Sequence, residues 1–133
     1  ETYVGRGRGN PRVYPVPVKL QLNEWALYGN WSIGDEAAAL NTSGGRLAYH
    51  FHARDVNLIM GPQRAGDSVR FRVLIDGKPP GKAAGGDVDA DGYGTVTRQT
   101  TYQLIRQPEP IEDRTFEIEF LDHGIEAYDF TFG

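Results

Sequence analysis

The chain has 133 residues, 17 glycines, 8 prolines, no cysteine and a formal charge of −4 with both signs interspersed. That length suits one domain around one core. Without cysteine there is no thiol nucleophile, disulfide framework, zinc-thiolate site or iron–sulfur cluster, and without a basic stripe nucleic acid is not an expected partner.

Residues 1–17 read as a linker or N-terminal arm, because Gly5-Arg6-Gly7-Arg8-Gly9 carries too little apolar content to fold alone. An RNA-binding arginine–glycine segment is the sharper reading, and the acidic remainder of the chain argues against it. A single domain is expected over residues 18–133. Beginning at Glu1, the chain is expected to be a processed or excised piece of a longer protein. No apolar run approaches the ~18 to 20 residues that cross a bilayer, so no direct membrane insertion is expected.

From Val18 the pattern has period two. Val18, Leu20 and Leu22 predict one half-buried strand, and Trp25, Leu27, Gly29, Trp31 and Ile33 a second that continues the alternation. A short strand follows over Ala37 to Leu40. Leu47, Tyr49 and Phe51 form the clearest strand, with His50 and His52 on its other face. Val56 to Met60 is a nearly continuous apolar run, as in a strand covered on both sides. Val69, Phe71, Val73 and Ile75 point inward ahead of Asp76-Gly77, a hairpin-type turn signal. The closing strands are Gly94 to Val96, Tyr102 to Ile105, Phe116 to Leu121 and Ile125 to Phe132; Tyr128, Phe130 and Phe132 are expected on the inner face, Asp129 and Thr131 on the outer. No apolar stripe recurs at helical spacing. About eight strands predict an all-β, antiparallel β-sandwich of jelly-roll type.

Several stretches together carry a family resemblance: Glu1-Thr2-Tyr3-Val4-Gly5, Trp25-Ala26-Leu27, Trp31 to Ala37, Tyr49 to Asp55, Phe71 to Gly81, Tyr102 to Pro108, Phe116 to Asp122 and Phe130-Thr131-Phe132-Gly133. They resemble the C-terminal domain of DipZ-like proteins, membrane-bound thiol–disulfide proteins of the cytochrome c biogenesis and thioredoxin type. The resemblance implies a carbohydrate-binding-module-like or galactose-binding-like sandwich, attached to an upstream thioredoxin-like domain on the periplasmic or cell-envelope side. It implies a non-catalytic accessory role: binding a glycan or cell-envelope polymer, or positioning a protein substrate. The family's redox cysteines belong upstream, and none can be carried onto this chain.

Three constellations are candidate sites. Tyr28 has opposite parity to Trp25 and Trp31, so the tryptophans are expected in the core and Tyr28 on the surface. There it would join His50, His52, Arg54 and Asp55 in a polar, aromatic patch able to stack on a sugar ring. His50 and His52 could instead share a metal with Asp55 or His123, although the spacing demands neither partner. Asp87, Asp89 and Asp91 ahead of Gly92 match the first half of a calcium loop, but Arg98 stands where the bidentate glutamate belongs. A structural calcium completed by carbonyls or distant carboxylates competes with a solvated acidic turn. No serine lies in a nucleophile elbow and no phosphate-binding glycine loop opens a helix, so no enzyme activity is expected. The alternative to ligand binding is a purely structural domain, packing on its thioredoxin-like neighbour or on itself.

Overall fold

Apolar side chains at every second position give each strand one face to bury, and here two sheets bury those faces against each other. The computed structural model describes residues 2–5, 13–14 and 19–133. Among them are twelve strands: β1 (Thr2–Tyr3), β2 (Val13–Tyr14), β3 (Trp25–Tyr28), β4 (Trp31–Ile33), β5 (Ala38–Leu40), β6 (Arg46–Phe51), β7 (Asp55–Pro62), β8 (Val69–Ile75), β9 (Tyr93–Val96), β10 (Thr100–Arg106), β11 (Arg114–Phe120) and β12 (Ile125–Phe132). The first sheet runs β10-β7-β12-β5-β4, with β1 also on β12; the second runs β2-β3-β6-β11-β8-β9. Pairing is antiparallel except between β2 and β3. The chain changes sheet at β1–β2, β3–β4, β5–β6, β6–β7, β7–β8 and at each step from β9 to β12. This is the expected all-β sandwich, crossed repeatedly in the jelly-roll manner.

The core lies between the sheets. Leu47, Tyr49 and Phe51 of β6, Phe116, Ile118 and Phe120 of β11, and Phe71 and Val73 of β8 face Val56, Leu58 and Met60 of β7 and Phe130 of β12. Edge-to-face rings lock the centre: Tyr49 lies 5.3 Å from Phe130 and 4.9 Å from Phe132, and Phe116 lies 5.9 Å from Phe130. Asp76 and Gly77 both take positive φ, 51° and 78°, as a primed hairpin turn requires. Among the described residues no helix is long and apolar enough to cross a membrane.

Four expectations change in detail. Val18 lies outside the described residues, and residues 19–24 contain no strand. They turn through Asn23 (φ 68°), with Glu24 N–H donating to the Gln21 carbonyl at 2.9 Å and the Glu24 carboxylate accepting from Gln21 N–H at 2.7 Å. Backbone bonds to His50, from Asn23 N–H at 2.7 Å and to the Glu24 carbonyl at 3.0 Å, close this turn onto β6, and Leu22 is left 44% exposed. Second, the stretch from Trp25 to Ile33 is two strands in opposite sheets, parted at Gly29 (φ 113°). Trp31 is buried, its indole N–H donating to the Tyr28 carbonyl at 2.8 Å, while Trp25 is half-buried against the core.

Third, the ladder between β12 and β7 slips between Ala127 and Asp129. This bulge carries Tyr128 out of the inward row and leaves Asp129 only 7% exposed. Fourth, the described parts of residues 1–17 pair into the sandwich, β1 on β12 and β2 on β3, and Val4 is buried in the core. Gly5 lies so close to the Glu36–Ala37 backbone that any Cβ would collide with it. The arginine–glycine stretch from Arg6 to Gly9 lies outside the described residues.

Candidate functional site

The outward positions of the second sheet build one groove. Tyr28 of β3, Arg46, Ala48 and His50 of β6, and Thr115 and Glu117 of β11 line about 270 Å³ together with Lys19 and Leu20. Leu20 crosses here because its carbonyl lies 3.0 Å from His50 Nδ1. A carbonyl only accepts, so Nδ1 carries the proton, and in the neutral ring Nε2 is left as an acceptor. Arg46 stands 3.6 Å from both Glu117 and Glu119. The Tyr28 ring is tilted against Tyr14 at 6.1 Å. The groove thus combines an aromatic wall with donors and acceptors of both charges, the chemistry a hydroxyl-rich ring can use.

The other members of the predicted patch do not converge on it. His52 follows the end of β6 and is exposed, its Nδ1 2.6 Å from Asp113. Arg54 forks onto the neighbouring Asp55 carboxylate at 2.9 and 3.2 Å. Asp55 opens β7 in the first sheet and lines a separate hollow of about 150 Å³ with Asn57, Gly85, Gly86 and Gln103. The reason is topological: β6 and β7 belong to opposite sheets, so the chain crosses the sandwich between His52 and Asp55. His123 sits apart, in the turn between β11 and β12.

The acidic loop is organised by its own backbone. Asp87 Oδ2 accepts from Gln103 N–H at 2.7 Å, and Asp89 Oδ1 accepts from Asp91 N–H at 3.0 Å and Tyr93 N–H at 2.9 Å. Asp91 contributes its carbonyl, 3.1 Å from Arg72 Nε. Two of the carboxylates are therefore turn acceptors that start β9 and tie the loop to β10. Among the described residues, no three or more His, Cys, Asp or Glu side chains are grouped to hold a metal ion.

Sequence reasoning missed a larger feature on the outer face of the first sheet. Tyr3 of β1, Ile59 of β7, Tyr128 and Asp129 of β12, Gln99 and the Asp35-Glu36 turn line a trough of about 390 Å³. Around Asp35, Glu36 and Tyr128 it opens into a shallower depression of about 580 Å³ along β4 and β5, where Glu126 also stands. The Tyr128 hydroxyl donates to Glu126 at 3.0 Å. Burial, then the hydrogen bond and charge of Glu126 and the charge of Glu36, hold the Tyr128 phenol above its ordinary pKa, so it stays a neutral donor. One signal was present in the sequence: apolar residues sit at Ile125 and Ala127, then at Phe130 and Phe132, and that change of parity marks a bulge.

Fold and surface together define a cysteine-free β-sandwich domain whose outer faces carry concave polar sites. The family described as "Thioredoxin like C-terminal domain" matches residues 1–133, and the chain belongs to it. It is similar to Protein DipZ of Mycobacterium bovis (strain ATCC BAA-935 / AF2122/97) and of Mycobacterium tuberculosis (strain CDC 1551 / Oshkosh), each 24% identical over 144 residues. The match covers 100% of this chain and 18% of each relative, so the chain spans less than a fifth of their length. Among solved structures it is similar to a family two carbohydrate esterase from Cellvibrio japonicus (TM-score 0.62, 16% identity, 81% of this chain and 30% of that one). A family two carbohydrate esterase from Clostridium thermocellum in complex with cellohexaose is also similar (TM-score 0.61, 15% identity, 83% and 31%). At such identities the likeness is one of fold.

Proposed function

We propose that this domain is a non-catalytic accessory module of an extracytoplasmic, membrane-anchored thiol–disulfide oxidoreductase, and that its Tyr28 groove holds a carbohydrate or cell-envelope polymer. Family membership and the DipZ relatives support the accessory place. With no cysteine in the chain, dithiol chemistry falls to an upstream thioredoxin-like domain. The observation that carries the ligand reading is the groove itself, where Tyr28 offers a ring face and Arg46, His50 and Glu117 stand within one concavity. A pyranose would lay its C–H face on Tyr28 and bond its hydroxyls to the charged groups and to His50 Nε2. The groove falls below the ~300–1,000 Å³ of pockets that enclose a whole drug-sized ligand, so it suits one or two rings of a longer polymer. Holding that polymer would keep the upstream redox domain near its substrates.

The test is a glycan-array and cell-wall-polymer binding screen on the 133-residue chain, with and without calcium, using Tyr28→Ala and Asp89→Ala. Saturable binding that disappears in Tyr28→Ala is the expected result. Calcium dependence lost in Asp89→Ala would add an ion at the acidic loop. A folded protein that binds no polymer under either condition overturns the reading, leaving a structural domain that packs on its neighbour or on itself.

A further inference from the structure

We propose that the Tyr28 groove is one end of a longer binding surface that crosses the second sheet to Tyr93 and takes a linear polysaccharide lying across the strands; this rests on the carbohydrate reading of Tyr28. Cross-strand register places the residues. Tyr28 of β3 is opposite Arg46 of β6, Arg46 is opposite Glu119 of β11, Glu119 is opposite Arg72 of β8, and Arg72 is opposite Tyr93 of β9. Directly opposed residues share a face, so these five side chains form one row on the outer surface with an aromatic ring at each end. The row is open to water: Tyr93 is 44% exposed, and the side chains of Arg46 and Glu119 are 43% and 42% exposed.

Spacing and chemistry both suit a glycan. Four inter-strand steps separate Tyr28 from Tyr93, about 19 Å in all. An extended chain of pyranose rings advances by roughly one such step per ring, so about five rings reach from one tyrosine to the other. Between them Arg46, Glu119 and Arg72 alternate donors with an acceptor, and sugar hydroxyls, which donate and accept, can use each in turn. Tyr93 is held in place as a platform. The Arg72 guanidinium lies over its ring at 4.9 Å, Arg72 Nε donates to the Asp91 carbonyl at 3.1 Å, and Tyr93 N–H donates to Asp89 Oδ1 at 2.9 Å. The acidic loop thereby positions the far end of the row. Strands β6, β11 and β8 beneath it have partners on both sides, so they offer a peptide no free backbone ladder to join, whereas a sugar needs only the side chains. Once Tyr28 holds one ring, stacking on Tyr93 is an intramolecular event, and the two platforms together favour long chains over short ones.

The distinguishing experiment titrates N-acetylglucosamine hexamer and N-acetylglucosamine dimer into the 133-residue chain; both are uncharged, so binding reports rings and hydroxyls. The hexamer is expected to bind at least about tenfold more tightly than the dimer. Tyr93→Ala should weaken the hexamer about tenfold and leave the dimer unchanged, the retained dimer binding showing that the fold is intact. Tyr93→Phe, which keeps the ring, should bind the hexamer as the native chain does. Tyr28→Ala should weaken both sugars. The longer surface is overturned if hexamer and dimer bind equally, if Tyr93→Ala binds the hexamer as the native chain does, or if Tyr93→Phe weakens it as much as Tyr93→Ala. In each of those cases a loss in Tyr28→Ala leaves the groove standing as a short site. A chain that binds neither sugar also overturns the longer surface, whereas the reading of Tyr28 falls only with the whole polymer screen.

Discussion

On the outer face of the second sheet, cations and carboxylates are interleaved: Arg46 stands between Glu117 and Glu119, and Arg72 lies over the Tyr93 ring at 4.9 Å. On the outer face of the first sheet, Asp35, Glu36 and Glu126 border a trough whose described lining residues include no cation. The inner faces show no such contrast, because both are apolar and share one core. The difference teaches where each kind of information resides. Inward positions answer to volume and shape, which the opposite sheet imposes, while outward positions answer only to water and ligand and so can diverge in charge.

The most severe way to break the comparison is to remove what both faces share. Phe130→Ala takes a fully buried ring from between Tyr49 and Phe116 and should cost about 3–5 kcal/mol in urea unfolding. Gly92→Ala acts on one sheet only. Gly92 has φ 92°, and a Cβ there would strike the Val73 carbonyl, so β8 and β9 must part. A loss of about 2 kcal/mol is expected in urea unfolding.

Smaller changes sharpen the picture. Asp89→Ala removes the acceptor of two backbone N–H groups and should cost about 1 kcal/mol, whereas Asp89→Asn, which keeps an acceptor oxygen, should cost much less. Thermal melts of the two variants test whether the side chain acts as a turn acceptor. The smallest effect is expected at Asp122. The Arg70 guanidinium, helped by the Arg70 backbone amide, holds its carboxyl at about 2, below the ordinary 3.8. A depressed pKa means stabilisation present above the ordinary value and lost as pH falls through the shifted one. Asp122→Asn should therefore lower stability by no more than about 1 kcal/mol near neutrality, since the pair is exposed, and the gap should close between pH 3.8 and about 2.

Much of the fold was legible in the residues. The alternation of Leu47, Tyr49 and Phe51, and of Phe116, Ile118 and Phe120, became the paired centre of the second sheet, with Tyr49 opposite Phe116 and Leu47 opposite Ile118. The family resemblance stood as well. Less of the site was legible. Tyr28 and His50 met, because parity within β3 and within β6 is local and those strands are neighbours. His52, Arg54 and Asp55 did not join them, because closeness along the chain hides a passage from one sheet to the other.

Local alternation, turn residues and the absence of cysteine were enough to determine an all-β sandwich without thiol chemistry, because those properties depend on neighbours one or two positions away. Which strands lie side by side, where β12 slips at Tyr128, and how Tyr3 comes to share a trough with Asp35 and Glu36 were decided only by tertiary structure. Each depends on residues far apart in sequence whose meeting is driven by burial of the common core, and no local pattern records that energy.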